Sequence, residues 1–349
     1  MTASRVAIAV SGGRDSLALL HATARASAAL GIELHALHVH HGLQPAADEW
    51  AAHVARCCRN WSRRWPIAFH VHRLEGRPQR GDSVEAWARR ERYRALEAMA
   101  CGLGASLVLL AQHAQDQAET FMLQALRGGA AAGLAAMPRL QRRGGITWAR
   151  PWLAQPREAI DAYVRRHRIH AVDDPSNADP RFARSRLRQQ VMPALLAAFP
   201  HATASLATAA AQAARSRALQ DEIAAQDLRA VADGDRLELR GWLALSPARR
   251  LNLLRAWLGN RLPAGVTQAL LDRLASEWRE GSRIHAQCGA VELRSHRGWL
   301  EIVDAPKAEL ATPPSDAAML RIEAPGDYPV AAWRGVLRIA EAAADDGVP

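Results

Sequence analysis

Apolar runs and helical stripes alternate through the first half of this chain, and the alternation predicts a fold class. Val6–Val10 is an unbroken apolar run, the pattern of a strand buried on both faces. A helix is expected from Ser16 to Leu30, a strand at Glu33–Val39, a helix at Ala46–Trp61 and a strand at Ile67–Val71. A further helix is expected at Ser83–Ala100, with Ser83 as its N-cap. Strand Leu107–Leu110, helix Asp116–Leu126 and a fifth strand at Gly144–Trp148 complete the series. Such an order argues for a parallel sheet with helices on both faces.

Past about residue 200 the pattern changes. An alanine-rich helical stretch spans 202–230, and shorter helices are predicted at Pro247–Leu258 and Val266–Trp278. Short strands follow at Arg283–Gln287, Val291–Arg294 and Trp299–Val303. The expected division is an α/β domain over 1–200, a mostly helical domain with a small sheet over 201–305, and a weakly patterned tail over 306–349. The tail is expected to be a short extension or the start of an incomplete C-terminal domain.

Composition narrows the classes. The 349 residues are 49% hydrophobic, enough for a substantial core. No run reaches the ~18–20 apolar residues of a membrane span, and Val6–Val10 is too short for a signal-peptide core. A cytoplasmic location and no membrane partner are therefore expected. The four cysteines do not make a disulfide framework: Cys57 and Cys58 are adjacent, and Cys101 and Cys288 stand apart. With no Cys-x-x-Cys, neither a zinc ribbon nor a redox pair is indicated, and all four are expected as small core hydrophobes. The tryptophans are scattered and are read as core. The formal charge is +10, carried almost wholly by arginine. Arginine suits bidentate contact with phosphate, so the charge gives moderate support to a nucleic-acid partner.

The sharpest signal is where the first strand ends. Ser11-Gly12-Gly13-Arg14-Asp15-Ser16 runs from that strand into a helix. Glycines let backbone approach an anion, and the helix start offers free N–H groups and a positive dipole end. Ser11 and Ser16 add hydroxyls, and Asp15 is placed to hold a magnesium ion bridging phosphates. The segment is neither a Walker A loop nor a Gly-x-Gly-x-x-Gly turn. Asp116 and Glu119 are three apart and share a helix face. Two arginine groups, Arg89-Arg90-Glu91-Arg92 and Arg184-Ser185-Arg186-Leu187-Arg188, suit either phosphate contact or a solvated surface.

Ser-Gly-Gly-x-Asp-Ser resembles the signature of PP-loop ATP pyrophosphatases, which cleave ATP to AMP and pyrophosphate by adenylating a substrate oxygen. Four further segments sharpen the resemblance: His38-Val39-His40-His41-Gly42-Leu43, Glu85–Arg89 with Arg92-Tyr93, Ala111–Thr120, and Asp174–Asn177 with Arg184–Arg188. Arg127-Gly128, Gly133-Leu134 and Met137 add to it. In order and spacing the chain is similar to the tRNA(Ile)-lysidine synthetase family, closely over 5–200 and loosely beyond, through Pro247–Arg250.

The resemblance implies ATP as co-substrate, Mg2+, L-lysine, and an isoleucine tRNA with anticodon CAU. It implies two steps: adenylation of O2 of the wobble cytidine (position 34), then attack of the lysine ε-amine at C2 with loss of AMP. It places Asp15, Asp116, Glu119 and Arg89 in catalysis, with Asp15 as metal ligand. Asp116 and Glu119 would bind the lysine cation, complete the metal site or take the amine proton. Ser11, Gly12, Gly13, Arg14, Asp15, Ser16, His40 and His113 would line the ATP site, and Arg127, Arg184 and Arg188 would contact tRNA. A homodimer is allowed by this reading. Departures are Gln115 in place of a family aspartate, Arg127-Gly128-Gly129-Ala130 where the family has Arg-Gly-Ser-Gly, and Ser185 in place of asparagine. The alternatives are a PP-loop tRNA 2-thiolation enzyme and a degenerate, non-catalytic tRNA-binding protein.

Overall fold

A computed structural model describes residues 4–42, 46–78, 84–172, 179–259, 261–262, 266–278, 285–288, 291–304, 324–330 and 335–339. Its contacts divide the chain into two compact units, 1–224 and 225–349.

In the first unit, strands β1 (Arg5–Ala9), β2 (Glu33–His40), β3 (Ile67–Arg73), β4 (Leu107–Leu109) and β6 (Ile146–Ala149) are parallel. Their order is β3-β2-β1-β4-β6, with β5 (Leu140–Arg143) antiparallel at the edge. Strand β5 was not predicted, because its polar sequence Leu-Gln-Arg-Arg is exposed throughout. Gly144 and Gly145, expected inside the fifth strand, instead form the β5–β6 turn with φ of +59° and +77°. Helices α1 (Arg14–Ser27), α2 (Ala47–Ser62) and α3 (Val84–Gly102) follow β1, β2 and β3. The expected cap Ser83 lies outside the described residues.

Two apolar layers sandwich the sheet. Ile8, Val10, Leu34 and Ala36 pack with Leu17 and Leu20 of α1 and Val54 of α2. Ala7, Leu37 and Val39 pack with Leu96 and Ala100 of α3 and with Trp148. Alternate residues of one strand serve opposite layers, which is why β1 and β2 read as continuous apolar runs.

Beyond β4 come α4 (Ala114–Ala125), the single turn α5 (Ala131–Leu134), and α6 (Arg157–His167) after β6. A helical segment follows in three parts: α7 (Ala183–Arg186), a π-turn (Leu187–Val191) and α8 (Met192–Ala198). The wide turn brings buried Leu187 and Met192, five residues apart, to the packed side. Helix α9 (Ala202–Val231) is the predicted alanine-rich helix.

In the second unit, β7 (Ala232–Asp233), β8 (Arg236–Glu238), β9 (His285–Cys288), β10 (Val291–His296) and β11 (Trp299–Asp304) form one sheet ordered β7-β8-β11-β10-β9. Its core joins Leu237, Leu293 and Leu300 to Trp242 of α10 (Leu239–Ala244), Leu254 of α11 (Pro247–Gly259) and Leu274 of α12 (Gln268–Glu277). The tail is not wholly without structure, since β12 (Gly326–Val330) and β13 (Gly335–Ile339) pair as a hairpin. No single helix among the described residues is long and apolar enough to cross a membrane.

Candidate active site

The chain leaves β1 toward β2 and β3 on one side and returns to β4 on the other. That reversal opens a crevice beyond the carboxyl ends of β1 and β4, the usual ligand position of open α/β sheets. The phosphate-loop sequence ends β1, and His113–Glu119 follows β4.

Gly12 takes φ +93°, in the left-handed region, and a Cβ there would lie 2.9 Å from Val172 Cγ2. Glycine is thus required both for the turn and for the space. The Val172 amide donates to the Gly12 carbonyl at 3.1 Å. The Ser16 hydroxyl donates to the Gly13 carbonyl at 2.9 Å and accepts the Ser11 amide at 3.1 Å. The two serine hydroxyls lie 3.1 Å apart. Gly13 is the N-cap of α1 with no side-chain cap. The first intrahelical donor is Leu17, bonded to Gly13, so the amides of residues 14–16 are left without helical partners. Arg14 extends to Asp161 of α6, 2.7 Å away.

His113 is the N-cap of α4 and only 2% exposed. Its Nδ1 accepts the Gln115 amide at 3.3 Å, and Asp116 Oδ2 accepts the His113 amide at 3.1 Å. This reciprocal cap starts the helix at Ala114, two residues before the expected start. Acceptance at Nδ1 assigns the ring proton to Nε2. That atom lies 3.7 Å from Asp15 Oδ2 and 3.5 Å from Asp116 Oδ2. Burial pushes the imidazole pKa down, but the two carboxylates more than offset it and hold it above the ordinary value. Burial likewise raises Asp15, yet His113 and the charges of Arg157 and Arg14 leave its carboxyl below the usual range. Asp15 Oδ1 is buried with no hydrogen-bond partner among the described residues.

Glu119 is completely buried and meets two arginines. Arg188 donates to both its oxygens, at 2.8 and 2.7 Å, and Arg184 donates from Nε at 3.0 Å. Gln115 donates to it at 3.1 Å, so this departure from the family pattern supplies a hydrogen bond where an aspartate would add a charge. Arg184 also reaches the Asp116 carbonyl and the Thr120 hydroxyl. Its contact with Glu119 first, followed by the Asp116 and Asp15 charges, raises the Arg188 pKa despite burial. Asp116 Oδ1 is 3.8 Å from Arg188.

The predicted residues therefore fall into a converging group and an outlying group. Ser11–Ser16, His113, Asp116, Glu119, Arg184 and Arg188 converge. His40, buried at the end of β2, lies 3.4 Å from Asp48 and 3.5 Å from Arg73. Its neighbour His38 donates to the Val10 carbonyl at 2.8 Å, tying β2 to the loop. Arg89 stands exposed on α3, 5.2 Å from the Tyr93 ring, and Arg127 is exposed after α4. Among the described residues neither forms an ion pair with Asp15, Asp116 or Glu119. Ala130 is extended at φ −68°, so it needs no left-handed backbone. The positive angles fall on Gly128 and Ala136 instead.

Three residues escaped the sequence reading. Arg157 adds positive charge near Asp15. Asp161 holds Arg14. Gln117 clamps Met137 through two backbone bonds of 3.0 and 3.1 Å. Nothing in their spacing flags them; only the position of Arg157, just past the last parallel strand, offered a clue. Cys101 is exposed, correcting its expected place in the core, while Cys58 is buried as expected.

Residues 1–195 match the PP-loop domain, and residues 237–301 match the TilS substrate binding domain. The chain is 40% identical to the tRNA(Ile)-lysidine synthase of Ralstonia nicotianae over 97% of its own length and 74% of the relative's. Identity is 45% to that of Pseudomonas aeruginosa, over 73% of this chain and 59% of the relative. It is 38% to that of Polaromonas naphthalenivorans, over 85% and 89%. In fold, the chain resembles the U34-tRNA thiolase NcsA from Methanococcus maripaludis, with a TM-score of 0.52 and 13% identity over 61% of this chain and 72% of that one. The phosphate loop, the acidic pair on α4 and these similarities coincide: the chain belongs to the tRNA(Ile)-lysidine synthase family, ligases that use ATP.

Proposed function

We propose that this chain joins lysine to C2 of the wobble cytidine of CAU-anticodon tRNA(Ile) through an adenylated tRNA intermediate. The convergence of Asp15, His113 and Asp116 where the β1 and β4 loops meet carries this reading.

In the first step the cytidine O2 attacks the α-phosphorus of ATP and pyrophosphate leaves. The amides at the start of α1, which have no helical partners, and the Ser11 and Ser16 hydroxyls suit the departing phosphates. The buried Oδ1 of Asp15, without a partner among the described residues, fits a divalent cation. Bound there, Mg2+ would offset charge on the pyrophosphate. His113 Nε2–H faces both Asp15 and Asp116, at 3.7 and 3.5 Å, and eases the repulsion between the two carboxylates.

In the second step the lysine ε-amine attacks C2, the C2–O2 bond breaks, AMP leaves with the electron pair, and the amine gives up a proton. Asp116 is the acceptor for that proton, because Glu119 is saturated by two arginines while Asp116 Oδ1 has Arg188 only at 3.8 Å. Glu119 then serves to orient Arg184 and Arg188 toward the RNA phosphates. Arg89 and Arg127, both exposed, are assigned to RNA contact, and His40 to the edge of the nucleotide pocket. Residues 1–200 would carry the chemistry and 201–305 would hold tRNA, in the cytoplasm where tRNA is matured.

The test is lysine incorporation by the purified chain with ATP and Mg2+, using the CAU isoleucine tRNA transcript and methionine tRNA as control. Labelled lysine in the isoleucine tRNA alone, with equimolar AMP, is expected. AMP release without lysine transfer would assign the fold to a different nucleophile.

A further inference from the structure

The sheet of the second unit has a core face and an outer face. Leu237, Leu293 and Leu300 point into the core. By strand alternation Glu238, Trp299 and His296 lie on the other face in one cross-strand row, with Trp299 paired to both of the others. At the end of that row is a cavity of about 310 Å³, lined by Glu238, Leu239, Arg240, Arg297 and Trp299 among others.

Two observations mark the cavity as more than a surface dent. First, its arginines are uncommitted. On the same sheet Arg236 is paired with Glu301 at 3.0 Å and Arg294 with Glu292 at 2.6 Å. Arg240 and Arg297 are exposed and form no ion pair among the described residues. Second, Arg297 stands where arginine is sterically disfavoured. It and Gly298 make the two-residue turn between β10 and β11, with φ of +50° and +82°. That is the backbone of a type I′ turn, whose first position favours asparagine, aspartate or glycine. A cation is held at the cavity rim in spite of the backbone conformation, a pattern of strain retained at binding sites.

We propose that this cavity takes one unstacked nucleotide of the RNA substrate. The base lies against the Trp299 ring, Arg240 and Arg297 meet the flanking phosphates, and Glu238 accepts a hydrogen bond from a 2′-hydroxyl or exocyclic amine. An aromatic face between uncommitted guanidiniums is the chemistry of a single-stranded or looped segment, whose bases are free to splay out. This inference rests on the tRNA-modifying reading and supplies it with a contact remote in sequence from the catalytic residues.

The test measures binding of the full chain to the CAU tRNA(Ile) transcript by fluorescence anisotropy across a salt series. Arg297→Asn places a preferred residue in the turn, so its melting temperature should be no lower than wild type while RNA affinity falls. With Arg240→Gln added, affinity should fall about tenfold, and the slope of log K against log salt should shrink by about 1.5, the loss of two phosphate contacts. Trp299→Thr should weaken binding about tenfold, the loss of one stacked base. Trp299→Phe, the folded control with an aromatic face, should bind like wild type. Wild-type affinity in the arginine double variant overturns the proposal. So does a neutral Trp299→Thr beside weakened arginine variants, which would mean backbone contact alone. A wild-type chain that does not bind the tRNA sinks the tRNA-modifying reading itself.

Discussion

Single side chains in the crevice separate structural from chemical roles. Asp15→Asn keeps the shape but removes the charge facing a cation. Turnover should fall roughly 10²–10³-fold, with tRNA affinity within about twofold, because the change touches electrostatic stabilisation and not RNA contact. A degenerate binder would show no turnover even before substitution. Asp116→Asn should leave ATP–pyrophosphate exchange in place and slow lysine transfer, as expected of a proton acceptor used only in the second step. Equal loss in both steps would return the role to Glu119 or to solvent. Glu119→Gln leaves two guanidiniums about one third exposed without their buried counter-charge. Since water screens them in part, we expect a loss of about 2 kcal/mol in urea unfolding, below the full penalty of a buried pair. His21 reports on pH. Burial first, then the charges of His167 and Arg25, push its pKa down to about 4. Between about pH 6.5 and 4 the unfolded chain therefore binds more protons, and stability falls as pH drops through that window. His21→Gln should flatten this part of the curve, while His35, His38 and His70, also depressed chiefly by burial, keep the remainder.

At the scale of elements, the contacts that position the site join pieces far apart in sequence. The amide of Gln117 on α4 closes both backbone groups of Met137, twenty residues on. Gln117→Leu would leave a buried amide and carbonyl unpaired, a cost of about 2 kcal/mol. Hydrogen exchange should quicken across residues 128–137, and unchanged exchange there would show that other contacts hold the loop. The α7–π–α8 segment delivers Arg184 and Arg188 to one carboxylate of α4 across 65 and 69 positions. The alternating arginines were visible as a basic string, but a string does not say which of its members turn inward. Arg186, between them, instead bonds the carbonyls of Pro180 and Arg181. Strand β5 was equally hidden. Its side chains are exposed, so its stability comes from backbone bonds to β6 and leaves no trace in hydrophobic period.

Over the whole molecule, the +10 charge predicts steep salt dependence of RNA binding. A log–log slope of about −4 to −8 is expected, corresponding to roughly five to nine phosphates neutralised. A slope near zero would mean that the arginines are spent on internal pairs. Much of the fold and the chemical class followed from sequence alone. Strand β1, the six-residue loop and the following helix are local features, because buried strands read as apolar runs and a phosphate loop needs glycine beside a helix start. Family membership rested on such segments in order. Local patterns could not supply the state of each charged group. Asp116 and Glu119 share a helix face, yet tertiary packing saturates Glu119 with two arginines and leaves Asp116 the freer carboxylate. Nor could they reveal that Asp15 Oδ1 ends buried without a partner among the described residues. They also gave no sign that a half-buried tryptophan and two exposed arginines meet at a cavity fifty-odd residues apart in sequence. Pattern records which side chains prefer water; the partners that decide ionisation and orientation come from distant segments, and folding alone brings them together.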